Sequence, residues 1–430
     1  MQTKQACNSH KILFLDHTAQ LGGGELALLH LLEALDKSLI TPVVILASEG
    51  PLTSRIKRLG IKVSVLPLDP EVVNTRKNSL GFSAVLKLKS VINVIRYSYR
   101  LAKLAQRLGI SLIHTNSLKS DIYGALAGRF ARIPTLWHVR DRIDDGYLPK
   151  AAAQVFRYLS TLLPSAVVAN SKSTLECLKT RATGKSSWGS AKSLSSWVVY
   201  DGIRVSDAQK IPAIEDKSIN IPCGAKPVIA LVGRIAEWKG QHIYIQAAAE
   251  VIRRHPGAEF WIVGAPLFGE FDYESRLHEL VDSLGLSDRV HFLGFRSDVP
   301  HLLDLVTVVV HASCLGEPFG QVVIEGMAAS KPVVATNGGA LPEIITDGVT
   351  GRLVPMNDAP AMAGAISSLL SNPEEAKLIG LRGRQHVFDK FTVTHTARSM
   401  ERVYEHIFAT AKLAPNDTLG ANDLALKGAS

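Results

Sequence analysis

Short apolar runs alternate with amphipathic helical stretches along nearly the whole chain, and that rhythm leaves few folds open. In the first half KILFLD (11–16), TPVVILAS (41–48), IKVSVLPL (61–68), SLIHTN (111–116), PTLWHV (134–139), SAVVANS (165–171) and SWVVYDG (196–202) read as strands. Helices such as 25–35 and 100–108 lie between them, and the Ser/Lys/Gly-rich stretch 180–196 reads as a surface loop. The polar, proline-bearing stretch 205–226 interrupts the rhythm as a linker. It resumes with PVIALVGR (227–234), AEFWIVGA (258–265), RVHFLGF (289–295), VTVVVHAS (306–313), KPVVATN (331–337) and GRLVP (351–355). Strands that alternate with helices in this way predict an α/β protein of two doubly wound, Rossmann-like halves facing a central cleft. The expected boundaries are 1–204, a linker over 205–226, and 227–393. A helix over 394–412 is expected to pack back on the first half, and 413–430 to form a tail. Ligands in such sheets bind outside the carboxyl ends of the strands, so the natural site is the cleft.

At 430 residues the chain is long enough for two or three domains, and 46% hydrophobic residues against 20% charged ones describe a globular protein. Cys7, Cys177, Cys223 and Cys314 stand far apart with no Cys-x-x-Cys pair. That argues against a disulfide framework or zinc site and suits a reducing, cytoplasmic setting. The stretch MQTKQACNSHKILFLDH has too short an apolar run for a secretory signal, and no uncharged apolar stretch reaches the roughly 18 residues of a membrane span.

A formal charge of +9 calls for an anionic partner. Between Arg76 and Arg107 stand eight basic residues and no acidic ones, with apolar residues at helical spacing. The expectation is a helix lying peripherally on the anionic inner face of a membrane; an ordinary solvated helix face is the alternative. Aromatic residues, at 6%, do not interleave with the basic ones, so no nucleic-acid partner is expected.

The stretch LGEPFGQVVIEGMAASKPVVATNGGALPEI (315–344) sets Glu317 on a loop after a strand and Glu325 inside the helix that follows. A carboxylate on an apolar helix is costly to bury unless something donates hydrogen bonds to it, and vicinal ribose hydroxyls are suitable donors. The backbone N–H groups around Phe319 and Gly320, at the helix start, would face an anion such as a phosphate. Two glutamates paired with arginines in an ion-pair network would give the same spacing, and spacing alone leaves both readings open.

Other stretches stand in a consistent order around this one: LGGGELALLHLL (21–32), WHVRD (137–141), LVGRIAEWKGQ (231–241), WIVGAP (261–266), HFLGF (291–295) and NGGALPEIITDGVTGRLV (337–354). Together with the Glu-x7-Glu spacing they resemble glycosyltransferase family 4 (group 1), the retaining transferases of the GT-B fold. The likeness covers most of the chain and is strongest over 228–355. One departure is Glu325-Gly326-Met327-Ala328-Ala329-Ser330 where the family usually reads Glu-Ala-Met-Ala-x-Gly.

The resemblance implies transfer of a sugar from a nucleotide-diphosphate donor to a glycan or lipid-linked acceptor hydroxyl, in polysaccharide or glycolipid assembly. It places Arg234 and Lys239 on the diphosphate, Glu325 on the ribose, Glu317 on the donor sugar, and Phe295 and Arg296 beside the base. Backbone amides of Gly23 and Gly24 would approach the donor from across the cleft. His138 would lie by the donor sugar and incoming hydroxyl, with His114 a weaker candidate. No Asp-x-Asp motif is present, so no metal or other cofactor is expected. The rival readings are a nucleotide-sugar epimerase on the same fold and a non-catalytic nucleotide-sugar-binding or scaffolding subunit.

Overall fold

The computed structural model describes residues 9–68, 84–144, 146–179, 195–205, 226–266 and 269–413. Its first sheet has seven strands: β1 (His10–Asp16), β2 (Ile40–Leu46), β3 (Lys62–Val65), β4 (Leu112–Thr115), β5 (Thr135–Val139), β6 (Ala166–Ala169) and β7 (Ser195–Val198). Its second has six: β8 (Val228–Val232), β9 (Glu259–Val263), β10 (Val290–Gly294), β11 (Val308–His311), β12 (Val333–Thr336) and β13 (Arg352–Val354). Each run picked out from the sequence holds one of these strands. The orders are β3-β2-β1-β4-β5-β6-β7 and β10-β9-β8-β11-β12-β13, with parallel pairing throughout. Both are doubly wound sheets whose order reverses beside the first strand of the half, between β1 and β4 and between β8 and β11. The architecture is GT-B: two Rossmann-like domains.

The central strands are apolar in unbroken runs because helices cover both faces. Ile12, Leu13, Phe14 and Leu15 of β1 are all fully buried, two in the cluster on one face and two in the cluster on the other. The covering helices of the first half are α1 (Gly23–Ala34), α2 (Pro51–Arg58), α3 (Ala84–Leu108), α4 (Leu118–Ala131), α5 (Lys150–Leu162) and α6 (Lys172–Lys179). Those of the second are α7 (Gln241–Arg254), α8 (Phe271–Ser283), α9 (Val299–Leu305), α10 (Gln321–Ala328), α11 (Leu341–Ile344), α12 (Ala359–Ser371) and α13 (Pro373–Lys390). The helix expected at 100–108 is the last third of α3. Most of the expected linker (206–225) and loop (180–194), and the basic residues Arg76 and Lys77, lie outside the described residues.

The final helix, α14 (Val393–Leu413), returns to the first half. Met400, Val403, Tyr404 and Ile407 pack in one cluster with Leu28, Leu31 and Leu32 of α1, and Asp36 N donates to Glu401 Oε1 at 2.8 Å. Where the chain passes between halves, two segments lie side by side: Ile203 N donates to Phe391 O and Val393 N to Ile203 O, both at 2.9 Å. A Cβ on Gly202 would fall 2.3 Å from the Thr392 carbonyl carbon, so this close approach depends on glycine.

Candidate active site

In each half the order reversal opens a crevice at the carboxyl ends of two strands, and Gly23, Gly24, Arg234, Lys239 and Glu317 follow those strands, whereas His138 stands at the end of β5 and Phe295 and Arg296 follow the edge strand β10. After β8 the chain makes one 3-10 turn, Glu237–Lys239, and leaves it through Gly240 at φ +73°. A Cβ on Gly240 would lie 2.0 Å from Ala312 O, and Cys314 N donates to Trp238 O at 2.8 Å. This fit presses the turn against the loop after β11 and brings Lys239 Nζ to both oxygens of Glu317, at 3.1 and 2.9 Å. Glu317 Oε2 also accepts from His311 Nε2 and from Ser313 Oγ, each at 3.0 Å.

Glu317 is only 8% exposed. Burial pushes its pKa up, but the Lys239 charge and the His311 hydrogen bond outweigh that and hold the carboxyl well below the usual carboxylate range. Its backbone is held too: Ala340 N donates to Glu317 O at 2.9 Å, and Gly339, at φ +64°, lies so close that a Cβ would come 2.1 Å from that oxygen. Sequence spacing offered Glu317 no ionic partner except a hypothetical arginine. The structure corrects this with a lysine 78 residues upstream and a histidine on the adjoining strand end.

The other expected residues of this half differ in standing. Arg234 stands between β8 and the turn that carries Lys239, half-buried, its Nε 3.5 Å from Glu270 Oε2. Glu325 is half-exposed on α10, with Gln321 Nε2 at 3.3 Å, so its position carries no full burial cost. Gly320 caps α10 in the left-handed region at φ +110°. The Phe319 side chain packs in the core beside Tyr200 and Phe391, which leaves its backbone, the part that the sequence reading offers to an anion. Phe295 is 74% exposed, whereas Arg296 donates to Asp298 at 2.7 and 2.5 Å.

Across the cleft, Gly23 opens α1 and is exposed, and Gly24 packs against Arg140 and Asn116. His138, at the carboxyl end of β5, is fully buried, and so is His114 on β4. His138 belongs to a buried polar network. His114 Nε2 lies 3.1 Å from His138 Nδ1, and His114 Nδ1 lies 2.7 Å from the Tyr404 hydroxyl on α14. Arg140 donates to His138 Nδ1 at 3.3 Å, to Asn116 Oδ1 at 2.8 Å, and to Asp201. Asn116 in turn donates to Asp16 Oδ2 at 2.7 Å and to Gly24 O at 3.1 Å.

The halves meet around residues 315–318. Arg142 lies against Gly316, where a Cβ would come 2.8 Å from its Cζ, and Gly146 lies beside Leu315. The Tyr147 ring stands 6.5 Å from Trp238 in a T-shaped arrangement. Ser171 Oγ and Thr174 Oγ1 donate to Pro318 O at 2.6 and 3.1 Å. Glu343 of α11 accepts from the backbone N–H groups of Lys172 and Ser173 at the start of α6, at 2.8 and 2.7 Å, and from the Tyr200 hydroxyl at 2.9 Å. A carboxylate of one half thus caps a helix of the other.

Nothing in the sequence marked Glu343, Tyr147 or Arg142. His311, which the sequence reading does not single out, ends β11. Chemically, the second half offers cations and a fixed carboxylate at one crevice, beside the N-terminus of α10. That suits a ligand with both phosphates and hydroxyls.

Two family profiles match the chain: "Glycosyl transferases group 1" over residues 214–386 and "Glycosyltransferase Family 4" over residues 21–184. The chain belongs to the group 1 glycosyltransferases. A crystal structure of Anabaena HepE, a protein in complex with UDP and glucose, matches this group 1 glycosyltransferase with a TM-score of 0.78 and 27% identity, over 92% of this chain and 100% of that one. The D-inositol 3-phosphate glycosyltransferase of Nocardia farcinica is 35% identical over 42% of this chain and 40% of its own length. The lipopolysaccharide core biosynthesis glycosyltransferase LpsE of Rhizobium meliloti is 32% identical over 43% of this chain and 51% of its own length. The chain spans about half the length of these curated relatives.

Proposed function

We propose that this protein is a retaining, metal-independent glycosyltransferase that moves a sugar from a nucleoside-diphosphate donor to an acceptor hydroxyl, in the assembly of a cell-surface polysaccharide or glycolipid. The observation that carries the reading is the Lys239–Glu317 pair beside Arg234, set at the crevice of the second sheet. Arg234 and Lys239 take the diphosphate and meet the charge that grows on it as the glycosidic bond breaks. Glu325 takes the ribose, the α10 amides a phosphate oxygen, and exposed Phe295 the base. Glu317 is already engaged by a lysine, a histidine and a serine, which makes it a weak covalent nucleophile and a good holder of sugar hydroxyls. Departure of the diphosphate with attack from the same face fits that arrangement. HepE in complex with UDP and glucose and the lipopolysaccharide relative support a nucleotide-sugar donor and a surface-glycan acceptor.

Calorimetry with UDP, GDP, ADP and NAD tests the donor site. One nucleoside diphosphate should bind, unaffected by a chelator, and Glu325→Ala should weaken it at least about tenfold. A folded protein that binds none of the four refutes the transferase and leaves a scaffold. NAD alone would turn the reading toward an epimerase.

The acceptor is proposed to be reached at an anionic membrane. Among the described residues no helix is long and apolar enough to cross a bilayer. On α3, however, Val91, Ile92, Ile95 and Tyr99 are all exposed, next to exposed Arg96, Arg100 and Lys103. Apolar anchors flanked by cations suit the surface of an acidic bilayer. Flotation with phosphatidylglycerol vesicles should carry the protein, whereas Ile92→Ser/Ile95→Ser should not float. Equal flotation with phosphatidylcholine would remove the charge argument.

A further inference from the structure

The buried histidine network admits a single arrangement of protons. The guanidinium of Arg140 can only donate, so His138 Nδ1, 3.3 Å away, must accept. Burial and the Arg140 charge push the pKa of His114 down to about 3 and that of His138 well below its ordinary value, so each ring carries one proton. The proton of His138 is therefore on Nε2. His114 Nε2, 3.1 Å from the same acceptor, must supply a donor, which leaves His114 Nδ1 to accept from the Tyr404 hydroxyl at 2.7 Å. Arg140 cannot swing away, because Asn116 and Asp201 hold its other nitrogens.

Every polar atom of the two rings then has a partner except one. His138 Nε2 is buried and has no hydrogen-bond partner among the described residues. An unmet buried N–H donor is costly to keep, and polar groups left so in a folded protein call for an explanation. It stands at the carboxyl end of β5, the edge from which Arg140 reaches Gly24.

The geometry points to Tyr404 and His114 as positioning residues that, with Arg140, fix His138 as a neutral ring whose Nε2–H is held ready to donate to an oxygen of the substrate. The inference rests on the proposed transfer reaction for that oxygen, whereas the tautomer itself does not depend on it. It also gives the last helix a part in the site, since Tyr404 of α14 sets the outer end of the relay.

The test combines spectroscopy and kinetics on the full chain. With 15N-labelled histidine, long-range 15N–1H spectra should show His138, identified by the signal lost in His138→Gln, as the Nε2–H tautomer. Finding Nδ1–H or the imidazolium overturns the assignment whether or not the protein proves to be a transferase. Tyr404→Phe removes one hydroxyl from a packed ring and should leave the fold intact. The signal lost in His114→Gln identifies His114, and in Tyr404→Phe it should lose its single-tautomer pattern. Turnover should fall about tenfold while nucleotide affinity changes less than about twofold. Unchanged turnover with an unchanged His114 spectrum refutes the relay. So does an equal loss of affinity and turnover, which marks a merely structural tyrosine. Arg140→Met leaves the Tyr404 hydroxyl able to accept as well as donate, so in a folded chain His138 should populate both tautomers, and a folded chain with the proton still wholly on Nε2 counts against Arg140 as its determinant.

Discussion

The two crevices arise from the same strand order, yet they are built in opposite ways. In the second half the crevice carries charged side chains: Lys239 is paired with the buried Glu317, and Arg234 and Glu325 are half-exposed. In the first half the polar groups at the strand ends are sealed: Asp16, Asn116, His114 and His138 are all nearly or fully buried and bonded to one another. The lesson is that one edge is made to exchange partners with a ligand and the other to hold one donor, His138 Nε2–H, in a fixed place. A charge pair can be shared with an incoming diphosphate, but a buried hydrogen-bond network resists rearrangement because every broken bond leaves a desolvated group.

The contrast is broken most severely at Lys239. Lys239→Met leaves Glu317 as a buried carboxylate without its cation, and urea unfolding should show a loss of about 3 kcal/mol together with loss of nucleotide binding. If stability is unchanged, the pair is not buried in any energetic sense. Next comes His138→Ala in the sealed network, expected to cost about 2 kcal/mol of unfolding free energy with nucleotide affinity within a factor of about two. A large affinity loss there would make the two edges alike. Glu325→Ala should do the reverse, losing about 1.4 kcal/mol of nucleotide binding and less than about 0.5 kcal/mol of stability.

An effect that appears only as pH changes is at the glycine-rich turn. Burial, and then the charge of Asp16, raise the Glu25 pKa to about 7, while its Oε2 accepts from Gly22 N at 3.0 Å. An acid that binds its proton more tightly in the folded state stabilises the fold at low pH. That contribution fades as pH rises from about 4.5 toward 7. Glu25→Gln does not titrate and keeps an acceptor for Gly22. Its stability relative to wild type should therefore improve across that window and level off above it. A difference that stays flat from pH 4 to about 8 would show that the carboxyl is not held in its neutral form.

The strands and their grouping into two halves could be read from the sequence because burial on both faces writes itself as continuous β-rich runs. Placing Lys239 at a strand's carboxyl end was equally legible, since a strand followed by Gly-Arg and Lys-Gly has only one place to turn. What spacing could not supply were partners brought together by the fold. Lys239 meets Glu317, Glu343 meets Lys172, and His114 meets Tyr404, which is 290 residues away. Nor does a residue's type announce its burial. Phe319 beside a catalytic-looking loop is core, and Phe295 at the end of an apolar run is open to solvent, because each depends on which neighbours arrive from elsewhere.

The paired segments at Ile203 and Phe391–Val393 have a mechanical consequence. Because α14 goes back to the first half, the second half is threaded into the chain as an insert, entering and leaving through adjacent, mutually bonded strands of backbone. A body tied at one point can swivel in any direction. Two neighbouring cords, one of them pinned by Gly202 against the other, restrict a relative turn of the halves to the line where they lie side by side. Glu343 stands beside that line, bonded to Tyr200 two residues ahead of Gly202, so a small turn there is felt directly by the loop that carries Glu317.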